Sequence, residues 1–184
     1  MADVTRLAAH TPVVALIETA LGLSRARELA AIPGVLRLGL GQIDLQADLG
    51  MACGADEQEL LPVRLELVLA SRLARMTPPI DGVTMDTRNA EVCTEDAQRS
   101  RRIGFGAKLC IHPHQVSWTR QAFMPSASQI DWARRVVQAM AAARGGVCTV
   151  DHKMVDAPVF KLAEQTLWRA GFDPQHINKE MTCE

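Results

Sequence analysis

Four times in succession, a short apolar run in this chain is followed by a helix-like or chain-breaking stretch. Val13-Val14-Ala15-Leu16-Ile17 reads as a buried strand, and a helix is predicted from about Leu21 to Ala31, stopped by Pro33-Gly34. Val35-Leu36-Arg37-Leu38-Gly39-Leu40 is the second strand. A longer helix follows over 57–76, with Leu60, Leu61, Leu65, Val68, Leu69 and Leu73 on one face. Its Pro62 belongs in the first turn, where a missing N–H costs little. Pro78-Pro79 ends that helix and opens a third strand, Ile80 to Met85. A short charged helix spans Glu95 to Ile103. Lys108-Leu109-Cys110-Ile111 is the fourth strand, ended by His112-Pro113. Ser126 caps a helix from about Ala127 to Arg144, with Ile130, Ala133, Val136, Val137 and Met140 inward, and Gly145-Gly146 breaks it. A last helix is predicted from Ala157 to Ala170, with Asp156 as N-cap. Strands that are apolar throughout and alternate with helices predict a parallel α/β sheet covered on both faces.

Composition excludes several function classes. Twenty basic residues against twenty-one acidic ones give a net charge of −1, with no electrostatic footprint for nucleic acid or an anionic membrane. No apolar run reaches the roughly 18 residues needed to span a bilayer. The first ten residues, MADVTRLAAH, contain no apolar secretory core. Four Phe, three Trp and no Tyr argue against a surface that stacks bases or sugars. Five cysteines, at 53, 93, 110, 148 and 183, are scattered without a CxxC and read as reduced thiols of a cytoplasmic protein.

Each strand hands over to a polar residue. Glu18 follows the first, Asp44 the second, Asp86 the third and His112 the fourth. In parallel α/β folds ligands sit at the carboxyl ends of the strands, so these four side chains form a candidate rim. Glu18 and Asp44 are separated by one strand-helix-strand unit. Two neighbouring carboxylates repel unless one takes a proton or a cation lies between them, and a hard cation such as Mg²⁺ is the natural occupant. The plain alternative is that Glu18 caps the following helix and Asp44 is a turn residue. Asp86 reads equally as a turn acid before Arg88-Asn89. His112 and His114 lack further ligands at zinc spacing, and read better as a strand end and a helix entry. A Schiff-base lysine needs a desolvated pocket, and no sequence feature around Lys108 points to one. The basic run Arg99-Ser100-Arg101-Arg102 reads as a solvated helix face. Gly104-Phe105-Gly106 precedes a strand and is no phosphate loop.

Five segments, VVALIETALGL, LRLGLGQIDLQADLG, PPIDGVTMD, GFGAKLCIHPHQV and DHKMVDAPVFKLA, in this order and spacing resemble the citrate lyase beta-subunit-like proteins of the HpcH/HpaI aldolase and malyl-CoA lyase group. The resemblance runs from about Pro12 to Ala163. It implies a (β/α)8 TIM barrel with a C-terminal helical arm. It implies retro-aldol or retro-Claisen cleavage beside a thioester carbonyl, on citryl- or malyl-type thioesters of CoA or an acyl carrier. It also implies Mg²⁺ held by Glu18 and Asp44, and proton transfer by Asp156 of the Lys153-Met154-Val155-Asp156 motif. A plain helix N-cap remains the other reading of Asp156, and both roles are compatible.

The pattern departs from the family at Leu40, where relatives carry Phe, and more deeply at the start. Only eleven residues precede Pro12, so the four earlier strands of the relatives, with their Asp-Leu-Glu-Asp-type motif and substrate-binding Arg, have no counterpart. The expected architecture is therefore the second half of a barrel over 1–146 and a helical arm or lid over 147–184. Such a half would associate with a second copy or with a complementary N-terminal half, or would be an inactive remnant serving assembly. A class II aldolase acting on free 2-oxo acids is the alternative enzyme class. The Lys-Met-Val-Asp arm favours the thioester branch.

Overall fold

A computed structural model of the chain describes residues 11–173. Their contacts divide into two units, the first ending at Phe123 and the second starting at Met124. The division falls ahead of the 146/147 boundary expected from the sequence. The helix beginning at Ala127 supplies much of the second unit's core, so it groups with the elements that follow it.

The first unit is built on a four-stranded parallel sheet in the order β1 (Val13–Ile17), β2 (Val35–Leu40), β3 (Ile80–Asp81) and β4 (Ala107–Lys108). Strand order following chain order, with helical crossovers, is the arrangement of part of a (β/α)8 barrel. The crossover from β1 contains two short helices, α1 (Ala20–Ser24) and α2 (Ala26–Ala30), which meet at Arg25 where one helix was expected. Two elements follow β2: α3 (Gln42–Leu49), absent from the sequence reading, and α4 (Leu61–Leu73), preceded by a 3₁₀ turn at Gln58–Leu60. Pro62 does sit in the first turn of α4. The helix α5 (Ala90–Ile103) starts earlier than expected, with Asn89 as N-cap accepting from Glu91 N and Val92 N. α6 (Pro113–Phe123) follows β4.

Ala15, Ile17, Leu38, Leu40, Leu45, Leu60, Leu67 and Phe105 form the core between sheet and helices. Because strand residues alternate sides, Val14 and Leu16 lie on the opposite face, where they are 46% and 44% exposed. Gly39 shares that face, since a Cβ there would touch Leu16 and Val14. The leucine-rich side of α4 is not its buried side. Leu61, Leu65, Leu69 and Leu73 are exposed, whereas Val63, Arg64, Leu67, Ala70 and Ser71 are buried. That buried side carries an ion pair beside Val63, Leu67 and Ala70: Arg64 Nε lies 3.1 Å from Asp81 Oδ1, with both side chains fully buried. Ser100 also donates to Asp81, and Glu57 joins the guanidiniums of Arg64 and Arg99. The basic run on α5 is thus tied into the interior through Arg99 and Ser100, which corrects its reading as a solvated face.

The second unit packs α7 (Ala127–Ala142) against α8 (Ala157–Arg169) and a hairpin of β5 (Cys148–Val150) and β6 (Lys153–Val155). Ala133, Val136, Val137 and Met140 of α7 meet Val150, Val155, Ala163 and Leu167. Ser126 and Gln129 close a capping box at the start of α7. The hairpin turns on Asp151 and His152, both at positive φ, and Arg135 bridges Asp131 and Asp151 beside it. Cys53, Cys93, Cys110 and Cys148 are free thiols, and Cys183 lies outside the described residues. Among the described residues no helix is long and apolar enough to cross a membrane.

Candidate functional site

Because the sheet is parallel, the segments after all four strands emerge along one edge. Glu18 follows β1 directly and is half-buried. Its side chain lies across Gly41, the residue after β2: a Cβ at Gly41 would come 2.5 Å from Glu18 Cγ and 3.1 Å from Glu18 Oε1. Gly41 is also the N-cap of α3, and Asp44 stands exposed in the first turn of that helix. The two carboxylates thus belong to one helix N-terminus, where the helix dipole favours negative charge. Asp44 reaches it from a helical turn rather than from a strand end, which refines the expectation. The glycine between strand and helix was the sequence signal for this close approach.

α3 is held from two sides. Asp48 Oδ2 accepts from the backbone N–H of Ala20, 2.7 Å away in the turn that carries Glu18. Thr19, beside Glu18, caps α1 by accepting from Gly22 N, so Thr19 rather than Glu18 is the capping residue there. At the other side Gln42, the first residue of α3, is buried and bonds both backbone groups of Val83, beyond β3. Leu45, with no exposed surface, anchors the helix in the core.

The remaining rim candidates have other partners. Asp86 Oδ1 accepts from the N–H groups of Arg88 and Asn89, the geometry of a turn acid. His112 Nδ1 accepts from His114 N, and the two imidazoles meet edge to face at 4.6 Å. Lys108 is buried and donates to the carbonyl of Gly82 at 2.7 Å. Burial pushes its pKa down, opposed by the nearby carboxylates of Asp81, Asp96 and Glu57. The expected third strand, to Met85, and fourth, to Ile111, are each cut to two ladder residues. Side chains replace the ladder over this stretch. Lys108 holds Gly82, Gln42 holds Val83, and Gln115 donates to the carbonyls of Thr84 and Asp86.

Asp156 belongs to the second unit, at the end of β6. Its Oδ1 accepts from Val159 N, 3.2 Å away, and so caps α8. Among the described residues no three His, Cys, Asp or Glu side chains gather as a metal-ligating group. Among the described residues the candidate donor set at α3 is the two carboxylates of Glu18 and Asp44. It contains no nitrogen or sulfur ligand, and its chemistry fits a hard cation that draws its remaining ligands from water and substrate.

The sequence profile of HpcH/HpaI aldolase/citrate lyase matches residues 2–113. A citrate lyase subunit beta-like protein of Mycobacterium tuberculosis is 38% identical over 165 residues, which cover 86% of this chain and 59% of that protein. A (3S)-malyl-CoA thioesterase of Cereibacter sphaeroides is 32% identical over 170 residues, 91% of this chain and 59% of the relative. The crystal structure of the protein CitE from Mycobacterium tuberculosis, in complex with magnesium, acetoacetate and coenzyme A, superposes with a TM-score of 0.82 at 35% identity. That superposition covers 92% of this chain and 65% of the other. The chain therefore spans less than two thirds of the length of the relatives it matches.

Proposed function

The chain belongs to the HpcH/HpaI aldolase/citrate lyase family, and from that footing we propose that it is a Mg²⁺-dependent carbon–carbon lyase acting on a citryl- or malyl-type thioester of coenzyme A or an acyl carrier. The observation that carries this reading is the seating of Glu18 over Gly41, at the helix N-terminus whose first turn presents Asp44. In this reading Glu18 and Asp44 hold the cation. Mg²⁺ bound there supplies a positive charge that orients the oxoacid fragment and favours the negative charge developing on oxygen.

Asp156 is assigned the proton transfer. Cleavage breaks the bond between the hydroxyl-bearing carbon and the carbon next to the thioester. The hydroxyl gives up its proton as its carbon becomes a carbonyl, and the thioester fragment takes a proton on carbon to become an acetyl group. One carboxylate can accept the first proton and return it as the second. The hydrogen bond from Val159 N fixes the Asp156 side chain for that task and caps α8 as well.

The CitE structure in complex with magnesium, acetoacetate and coenzyme A supports a thioester reactant. The thioesterase relative favours a second reading, hydrolysis of the same class of thioester. The partner proposed for the uncovered sheet face is a second copy of the chain or a complementary half of the barrel. The exposed apolar Val14 and Leu16 support a covered inner sheet face.

The test is product analysis with the full chain, Mg²⁺ and (3S)-malyl-CoA or citryl-CoA, with and without Asp156→Asn. Asn is as good a cap as Asp, so the variant keeps α8 intact. The reading predicts an acetyl thioester plus a 2-oxo acid, falling at least about 100-fold in the variant while Mg²⁺ binding is retained. Free CoA plus the intact hydroxy acid supports hydrolysis instead. Equal loss of activity and Mg²⁺ binding returns Asp156 to a structural role.

A further inference from the structure

We propose that Gln42 is a positioning residue for the Glu18–Asp44 pair, a role that rests on the cation reading above and names what keeps that site in shape. Gln42 is 1% exposed, on a helix whose other buried residue is Leu45. A buried amide is unfavourable unless its hydrogen bonds are made, so an apolar residue here would pack without that demand. The amide is nevertheless paired at both its nitrogen and its oxygen. Its Nε2 donates to Val83 O and its Oε1 accepts from Val83 N at 3.0 Å.

This is the pairing a neighbouring strand would offer. The backbone ladder between β2 and β3 is confined to Gly39 and Ile80. Gln42 supplies the next rung with a side chain, and the backbone from Gly41 onward is freed to turn into α3. Gly82 is what admits the amide: a Cβ there would fall 1.6 Å from Gln42 Oε1. The clamp therefore needs both a Gln at 42 and the absence of a side chain at 82.

The clamp's position gives it its function. Gln42 directly follows Gly41, which carries Glu18 across it, and stands two residues before Asp44. Asp48, farther along the same helix, is tied to Ala20, two residues after Glu18. The Asp48 contact holds α3 to the turn after β1, and the Gln42 contact holds its first turn to the segment after β3. Release of the Gln42 clamp leaves the first turn of α3 held only by Leu45, the Gly41 N–H to Ile17 O bond and the Asp48 contact, and this looser seating lets the separation of the two carboxylates change.

The test compares Mg²⁺ binding by calorimetry in wild type, Gln42→Met and Gly82→Ala, well below the melting temperature of each. Met keeps the volume and removes the hydrogen bonds. Gly82→Ala leaves Gln42 in place and displaces its amide, so it decides the matter if Gln42→Met does not fold. The proposal predicts weaker Mg²⁺ binding by about tenfold in a variant with native circular dichroism, the effect of one lost clamp. A folded variant that binds Mg²⁺ within twofold of wild type overturns the positioning role alone. Failure of wild type itself to bind Mg²⁺ overturns the cation reading and this role with it, and the two failures are told apart by the wild-type titration.

Discussion

The side chain of Glu18 occupies the space that a side chain at position 41 would need, its Cγ 2.5 Å from where a Cβ of residue 41 would stand. A glycine between β2 and α3 is therefore a requirement of the acidic site rather than of the turn. Gly41 has φ −96°, a value open to any residue, so the backbone alone does not demand it. Gly41→Ala is expected to leave the fold intact, displace Glu18 and weaken Mg²⁺-induced thermal stabilisation. The check is a melting curve with and without Mg²⁺. An unchanged Mg²⁺ increment would show that Glu18 moves aside freely.

The fully buried pair of Arg64 and Asp81 lies on the inward side of α4. Its removal by halves is costly because it leaves a buried network of Arg64, Asp81, Glu57 and Ser100 with a charge short of partners. Arg64→Met or Asp81→Asn is expected to destabilise the chain by about 3–5 kcal/mol, and the double replacement by less than the sum of the two. Denaturant unfolding of the three variants measures this. Additive losses would mean that the two charges do not stabilise each other.

Lys108 gives a pH dependence of definite sign. Desolvation lowers its pKa in the folded chain, only partly offset by Asp81, Asp96 and Glu57. The unfolded chain therefore binds the extra proton between the lowered value and the ordinary 10.5. Over that window the stability of wild type relative to Lys108→Met should rise with pH, and below it the penalty of burying the ammonium should be present in full. At neutral pH the penalty of burying the ammonium offsets the bond to Gly82, so Lys108→Met should cost less stability there than at alkaline pH. Unfolding curves at neutral and alkaline pH test both statements. A difference that shrinks as pH rises contradicts the assignment.

The parts of the fold legible in the sequence are those fixed by local signals. Apolar runs of five or six residues gave β1 and β2, and Ser126 and Asp156 marked the starts of α7 and α8. The hairpin of β5 and β6 escaped because its strands have three residues each and its turn, Asp151-His152, lacks the glycine that usually marks such a turn. The helix entry expected at His112–His114 agrees with α6, which starts at Pro113, whereas α5 starts at Ala90 behind the Asn89 cap, five residues ahead of the expected Glu95. The buried side of α4 was illegible for a deeper reason. Periodicity counts leucines, whereas the inward side carries Arg64, whose partner Asp81 lies on another element.

The candidate site divides in the same way. Glu18 and Asp44 were visible as acids after apolar strands, and Asp156 as a cap. Gln42 and Gly82 were not, because each acquires meaning only from the other: a polar residue on a short helix and a glycine after a strand meet forty residues apart in sequence. The Asp86 and His112 candidates share the sequence pattern of Glu18 and Asp44, and it is their local hydrogen bonds that set them apart.

The most direct test of the account is a calorimetric Mg²⁺ titration of the full chain, repeated with Glu18→Gln and with Asp44→Asn. The account predicts saturable binding at one site per chain in wild type and its loss in each variant, with the fold of both variants retained. Binding that survives both substitutions unchanged, or no binding by the wild-type chain, would contradict it.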